Sequence, residues 1–176
     1  MPTPIPTSRI TRGNALVGGI TIDAPYGAAA GVLQVVPRVI KVPVVALTTG
    51  TKDTGIDLPT KGLVLDAWVD VRTKEDTGST KTIDVGLLNS ESGGDLDGFL
   101  DGISTATAGV ITSSLVSGAV TAGVLFLETV TDSAPATHSA RKPHVLNGTA
   151  KSLVYVLGSA HTELVADIYV SYIDLT

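Results

Sequence analysis

Residues Lys61–Gly102 read KGLVLDAWVDVRTKEDTGSTKTIDVGLLNSESGGDLDGFLDG, and this stretch decides the fold. In Leu63–Thr73, the residues Leu63, Leu65, Ala67, Val69 and Val71 alternate with Val64, Asp66, Trp68, Asp70 and Arg72. A period of two marks a strand, because successive side chains point to opposite faces of the pleat. Lys74–Ser79 contains Asp76 and Gly78, which suit a turn. Thr80–Leu88 resumes the alternation with Ile83, Val85 and Leu87 inward. The expectation is an antiparallel hairpin, followed by a polar loop over Asn89–Asp97. No reactive constellation accompanies it, so the question becomes which surface the protein binds rather than which reaction it runs.

The pattern extends in both directions. Val35–Thr48 alternates, but Pro37 and Pro43 each remove a ladder donor, which places this strand at a sheet edge or a bulge. Thr49–Thr60, with Gly50, Gly55 and Pro59, reads as a loop. Phe99–Ile103 reads as a short strand or turn, Val110–Val116 and Val120–Thr131 as strands, and Asp132–Lys142 as a loop. Asn147-Gly148 between Pro143–Leu146 and Thr149–Leu157 fits a type I′ hairpin, since Asn-Gly tolerates positive φ at both central positions. Glu163–Leu175 is the last strand. With no amphipathic helix in the pattern, residues 32–176 are expected to form an all-β domain, an antiparallel β-sandwich of jelly-roll type. Residues 1–31 read as an extended N-terminal arm. Pro2, Pro4 and Pro6 each fix φ, and five glycines interrupt every period that follows.

The composition agrees. Of 176 residues, 43% are hydrophobic but only 4% aromatic, so Val, Leu, Ile and Ala must build the core. Charged residues are 16%, below the roughly 25% of ordinary soluble domains. A surface with so few charges suggests that part of it is covered by a copy or a partner. Arg9, Arg12, Arg38 and Lys41 against Asp23 make residues 1–50 net basic, while the whole chain carries −5. The basic residues are scattered and lack interleaved aromatics, which argues against nucleic acid as a partner. No apolar run approaches the roughly 20 residues of a membrane helix, and MPTPIPTSRITRG has no secretory apolar core. There is no cysteine, which removes disulfides and thiolate metal sites.

Candidate sites are few. Asp95, Asp97 and Asp101 in GGDLDGFLDG could offer carboxylates to calcium, but the spacing is not that of an EF-hand and Asp-Gly pairs form ordinary turns. His138, His144 and His161 are the only histidines, and no pair has the spacing of a helical zinc site. With no histidine set to activate a hydroxyl, no enzyme activity and no cofactor are expected. Asn147-Gly148-Thr149 matches a glycosylation sequon and also a plain turn. Trp68, between Asp66 and Asp70 on its face, reads either as a half-buried residue beneath a loop or as an anchor at a subunit interface. In the arm, Ile5, Ile10 and Leu16 offer burial, while Arg9 and Arg12 offer charge-assisted hydrogen bonds to a partner.

Two stretches, LVLDAWVDVRTKEDTGSTKTIDVGLLNSESGGDLDGFLDGISTATAGVI (Leu63–Ile111) and ELVADIYVSYIDL (Glu163–Leu175), resemble small virion structural proteins of tailed bacteriophages. The resemblance implies a capsid decoration (cement) protein, made in the host cytoplasm and carried on the capsid surface. It implies a β-sandwich or jelly-roll body, trimers over joints between major capsid proteins, and stabilisation of the head. No catalytic motif comes with it, so no residue role is carried over. The alternatives are another virion part (head fibre base, tail component or receptor-binding tip) or a carbohydrate-binding module. The last would expose two or three aromatics on one sheet face, drawn from Trp68, Tyr155, Tyr169 and Tyr172.

Overall fold

The computed structural model describes residues 36–113, 121–131, 137–147 and 151–176. The chain divides into two units, Met1–Val36 and Pro37–Thr176, and the second holds every strand named below. The strands are β1 (Pro37–Pro43), β2 (Gly50–Leu58), β3 (Lys61–Thr73), β4 (Thr82–Leu87), β5 (Leu100–Ser104) and β6 (Gly109–Thr112), then β7 (Leu127–Thr131), β8 (Thr137–Arg141), β9 (His144–Asn147), β10 (Lys151–Leu157) and β11 (Val165–Asp174). Among the described residues the one helical element is a 3-10 turn at Val124–Phe126, and no helix is long and apolar enough to cross a membrane.

The unit is all-β and sandwich-like. The first sheet runs β1-β11-β3, with β6 and β9 sharing the far edge of β3. The second runs β2-β10-β4-β5, and β7 with β8 makes a two-stranded ribbon. All the pairings are antiparallel. One core joins the inner faces: Val64, Val69 and Ile168 of the first sheet cluster with Ile83, Val85 and Leu153 of the second. Each such aliphatic side chain contributes roughly 1.5–3 kcal/mol by leaving water. Phe99 and Phe126 stack with centroids 5.1 Å apart inside the same core.

The expected β3–β4 hairpin does not form. β3 is an interior strand, with β11 on one edge and β6 and β9 on the other, so no edge is left for β4. Instead the chain crosses after Thr73 to the second sheet. The Asn147-Gly148 hairpin fails for the same reason, because β10 is enclosed by β2 and β4 while β9 pairs with β3. Residues 148–150 lie outside the described residues.

The alternation read in β3 also breaks. Val64 is buried, and so are Ala67, Val69 and Val71, whereas Leu63 and Leu65 are partly exposed. The register explains this. Ser171 pairs with Asp66 and Tyr172 with Val64, leaving Leu65 as an extra residue. A bulge of one residue moves the following side chains to the opposite face.

Two expected loops are strands. Thr49–Thr60 contains β2, an edge strand whose outer side chains need not be apolar. Asp132–Lys142 contains β8, paired with β7. The strand expected over Val110–Val116 is seen as β6, ending at Thr112, and the strand expected over Val120–Thr131 is the 3-10 turn followed by β7. Val35–Thr48 holds β1 at a sheet edge, as its prolines required, and Glu163–Leu175 holds β11.

Candidate docking face

The outer face of the first sheet is built by register. Pro37 pairs with Ile173, Ile173 with Leu63, and Leu63 with Val145, giving an apolar row across four strands. A parallel row runs Lys41–Tyr169–Trp68–Thr112. Because Ala67 and Val69 point into the core, Trp68 between them points out. It is partly exposed and lies against Tyr169 with ring centroids 5.4 Å apart and planes 4° from parallel. Lys41 Nζ sits 5.9 Å from the Tyr169 ring centre. Val39 (55% exposed), Val110 (64%) and Val145 (60%) remain open on the same sheet.

Most of the cations of this face are paired with its carboxylates. Asp167 is 2% exposed although its neighbours Ala166 and Ile168 fill the core. It is covered from outside by Lys41 (3.0 Å) and Arg72 (3.1 Å). The hydrogen bond from Lys41 to Asp167, with the aspartate's charge, raises the lysine's pKa. Arg141 pairs with Asp66 beside the bulge, and its guanidinium lies over Phe126 at 4.9 Å.

At one end of the body, the crossing connections are fastened by a buried carboxylate that the sequence did not reveal. Glu75 is fully buried. It accepts hydrogen bonds from the backbone amides of Thr162 (2.8 Å), Glu163 (3.0 Å), Leu164 (3.2 Å) and Thr77 (2.9 Å), and from the Thr77 hydroxyl. Burial alone would push its pKa up; these donors outweigh burial and hold it well below the usual carboxylate range. Nearby, His161 is buried between Thr105 and Ser159. Its Nδ1 faces the Ser159 carbonyl at 2.7 Å, which can only accept, so in the neutral ring Nε2 accepts from the Thr105 hydroxyl at 2.8 Å. Both ring nitrogens are thus occupied inside the protein, and the arrangement fastens loops rather than meeting a substrate.

Across the second sheet, the segment following β4 forms a groove of about 370 Å³ lined by Asp84, Asn89, Asp95, Asp97 and Val156. A side-chain hydrogen bond to Asp97, then burial, and then the charges of Asp97 and Asp101 raise Asp95 to about 6. Among the described residues no group of three or more acidic, histidine or cysteine side chains is placed to hold a metal ion, so the calcium reading of Asp95, Asp97 and Asp101 gains no support from geometry. The arm residues Ile5, Arg9, Ile10, Arg12 and Leu16 lie outside the described residues. The side chain of His138 is likewise outside them, and His144 meets the edge of Phe99 at 5.9 Å.

Of the four aromatics of the carbohydrate reading, Trp68 and Tyr169 share a face and the other two do not join them. Tyr155 is buried and bonds Ala46 through its hydroxyl, and Tyr172 packs against the core. Trp68 and Tyr169 share the outer face, but each covers one ring face of the other.

No protein-family model matches the chain, and no curated protein matches it. Among solved structures, the chain is similar to a chain of the acidic stable capsid of Helicobacter pylori bacteriophage KHP30, at 15% identity and a TM-score of 0.46, covering 80% of this chain and 90% of that one. It is also similar to a chain of the capsid asymmetric unit of cyanophage Pam1, at 12% identity and a TM-score of 0.49, covering 89% and 98%. At these identities and scores neither likeness carries an argument about function.

Proposed function

We propose that the protein is a structural component of a phage virion that docks on the outside of the major capsid lattice and stabilises the head. The carrying observation is the outer face of the first sheet, where Val39, Val110 and Val145 stand open to solvent while Lys41 and Arg72 are held by the buried Asp167. The two stretches that resemble phage virion proteins meet on this sheet, since β3 and β11 pair along their length. The strand order also supports a jelly-roll body, because β1-β11-β3-β6 and β2-β10-β4-β5 place eight strands in two four-stranded rows joined by connections that cross repeatedly between the sheets. The mechanism is mechanical. Each docked copy clamps neighbouring capsid subunits weakly, and many copies act together by avidity.

The test mixes purified protein with undecorated capsids and follows mass by light scattering and co-sedimentation. Saturable decoration that raises the temperature of capsid disruption is the expected result. Protein that stays in the supernatant at every concentration overturns the proposal.

A further inference from the structure

We infer that the side of the body formed by β1 and β2 is closed to strand addition, so that a second copy of this chain cannot extend either sheet there; this rests on backbone geometry and stands apart from the docking proposal. β1 ends the first sheet and β2 ends the second. Only residues 44–49 join them, so among the described residues the two strands have neighbouring edges without a further strand. Such an edge is a row of amides and carbonyls that templates another strand unless something covers or spoils it.

On β1 the prolines do this by parity. In an antiparallel pair, alternate residues turn both backbone groups toward the partner strand, and the residues between turn them away. The Val44 amide donates to the Ala166 carbonyl at 3.0 Å, and the register runs unbroken from Pro43↔Asp167 to Pro37↔Ile173. Val42, Ile40 and Arg38 therefore turn their backbone groups toward β11. Pro43, Lys41, Val39 and Pro37 turn theirs to the free edge. Both prolines fall in the outward set, where each removes an amide that would face a new strand. Outward donors remain only at Val39 and Lys41. A strand laid along β1 would bring a carbonyl against each proline nitrogen and leave it unpaired.

β2 is spoiled by a different device. Ser152 pairs with Asp57 and Val154 with Asp53, so Thr54, Gly55 and Ile56 stand opposite Leu153 alone. The Thr54 hydroxyl donates to the Leu153 carbonyl at 2.7 Å. The Gly55 amide donates to the Asp53 carboxylate at 2.8 Å, and the Ile56 amide to the Thr54 hydroxyl oxygen at 3.2 Å. Gly55 takes φ +69°, which turns the chain out of the strand path. The middle of β2 is thus bulged, and two of its amides are already bonded to its own side chains.

The strand best matched to either edge is the same edge on a second copy, since a two-fold axis lays a strand antiparallel to itself at equal length. With only 16% charged residues, the chain has little charge repulsion to keep copies apart. Blocking the backbone donors does so without charge, and it leaves partners to be met through faces rather than by shared strands.

The experiment uses the full chain and the double variant Pro37→Val/Pro43→Val, which restores both outward amides. Circular dichroism checks that the variant folds. Light scattering over a concentration series is expected to give the variant at least twice the wild-type mass at the same concentration. Amide exchange of the wild type needs no variant. Val39 and Lys41 are expected to exchange at least about tenfold faster than Ile40 and Val42, at every concentration. A folded variant that keeps the wild-type mass throughout the series overturns the inference. So does wild-type protection at Val39 and Lys41 that equals that of Ile40 and Val42 or grows with concentration. Neither readout involves capsids, so the docking proposal can fail while this inference stands, and the reverse.

Discussion

The carboxylate of Glu75, on the connection leaving β3, accepts a hydrogen bond at 2.8 Å from the backbone amide of Thr162, on the connection entering β11. The next two amides, of Glu163 and Leu164, point at the same carboxylate oxygen. Three successive amides facing one buried anion tie together two connections that are 87 residues apart in sequence. Both connections cross between the sheets, so this contact fixes how the sheets close at that end.

Glu75→Gln keeps the size and removes the charge. The amide group can no longer accept from every donor that faces it, and buried amides are left unpaired. The expected loss is about 2–4 kcal/mol in urea unfolding at pH 7. A loss below about 1 kcal/mol would show that water or a shifted loop replaces the cradle.

The same group sets the response to acid. Its folded pKa lies below the ordinary value of 4.5, so its stabilisation is complete above that value. It is lost as pH falls from there toward the folded pKa, because the unfolded chain takes up a proton that the folded chain resists. Wild-type melting temperature is expected to drop below about pH 4.5, and Glu75→Gln is expected to flatten that drop. Parallel curves for the two proteins would contradict the assignment.

Asp95 works in the opposite direction. Its folded pKa is raised to about 6 by Asp97, so its penalty is complete above pH 6 and is relieved as pH falls toward 3.8. Asp95→Asn is expected to stabilise the protein at pH 7 by roughly 0.5 kcal/mol after solvent screening and to leave stability unchanged near pH 4. Calorimetry at the two pH values separates these outcomes.

Gly86 lies beneath the backbone of the following loop. A Cβ there would overlap the Asp95 carbonyl oxygen and press on the Leu96 carbonyl carbon at 2.6 Å. Backbone cannot yield as a side-chain tip can, so Gly86→Ala is expected to cost roughly 2–4 kcal/mol. Gly93→Ala tests a different term. No atom lies within reach, but the backbone has φ +76°, and its cost is expected to stay near 1 kcal/mol.

Deletion of residues 1–20 tests the arm. The truncated chain is expected to melt like the full chain and to lose capsid binding in co-sedimentation. Full decoration by the truncated chain would rule out Ile5, Arg9, Ile10, Arg12 and Leu16 as the contacts.

The strands with strong alternation were legible from sequence. β11 kept its period because Ala166, Ile168 and Val170, with Leu164 just before the strand, face a single core. β2 was not legible, because an edge strand of GTKDTGIDL buries too little to carry a pattern. The outward place of Trp68 followed from parity, but its neighbour Tyr169 did not, since the pairing of β3 with β11 spans about a hundred residues. Glu75 sat in a stretch that reads as an ordinary polar turn. Only the amides of 162–164 mark it, and nothing local predicts their approach.

By itself, the sequence determined an all-β body poor in aromatics and charge, with no thiol chemistry and an edge strand marked by Pro37 and Pro43. These properties follow from side-chain chemistry and a period of two, both local. The tertiary structure decided which strands are neighbours, where the bulge at Leu65 reverses the faces, and which ions are buried. Those outcomes depend on how many edges an interior strand has left to offer and on which groups meet across the sandwich. Both are set by contacts between distant parts of the chain, and no window of sequence contains them.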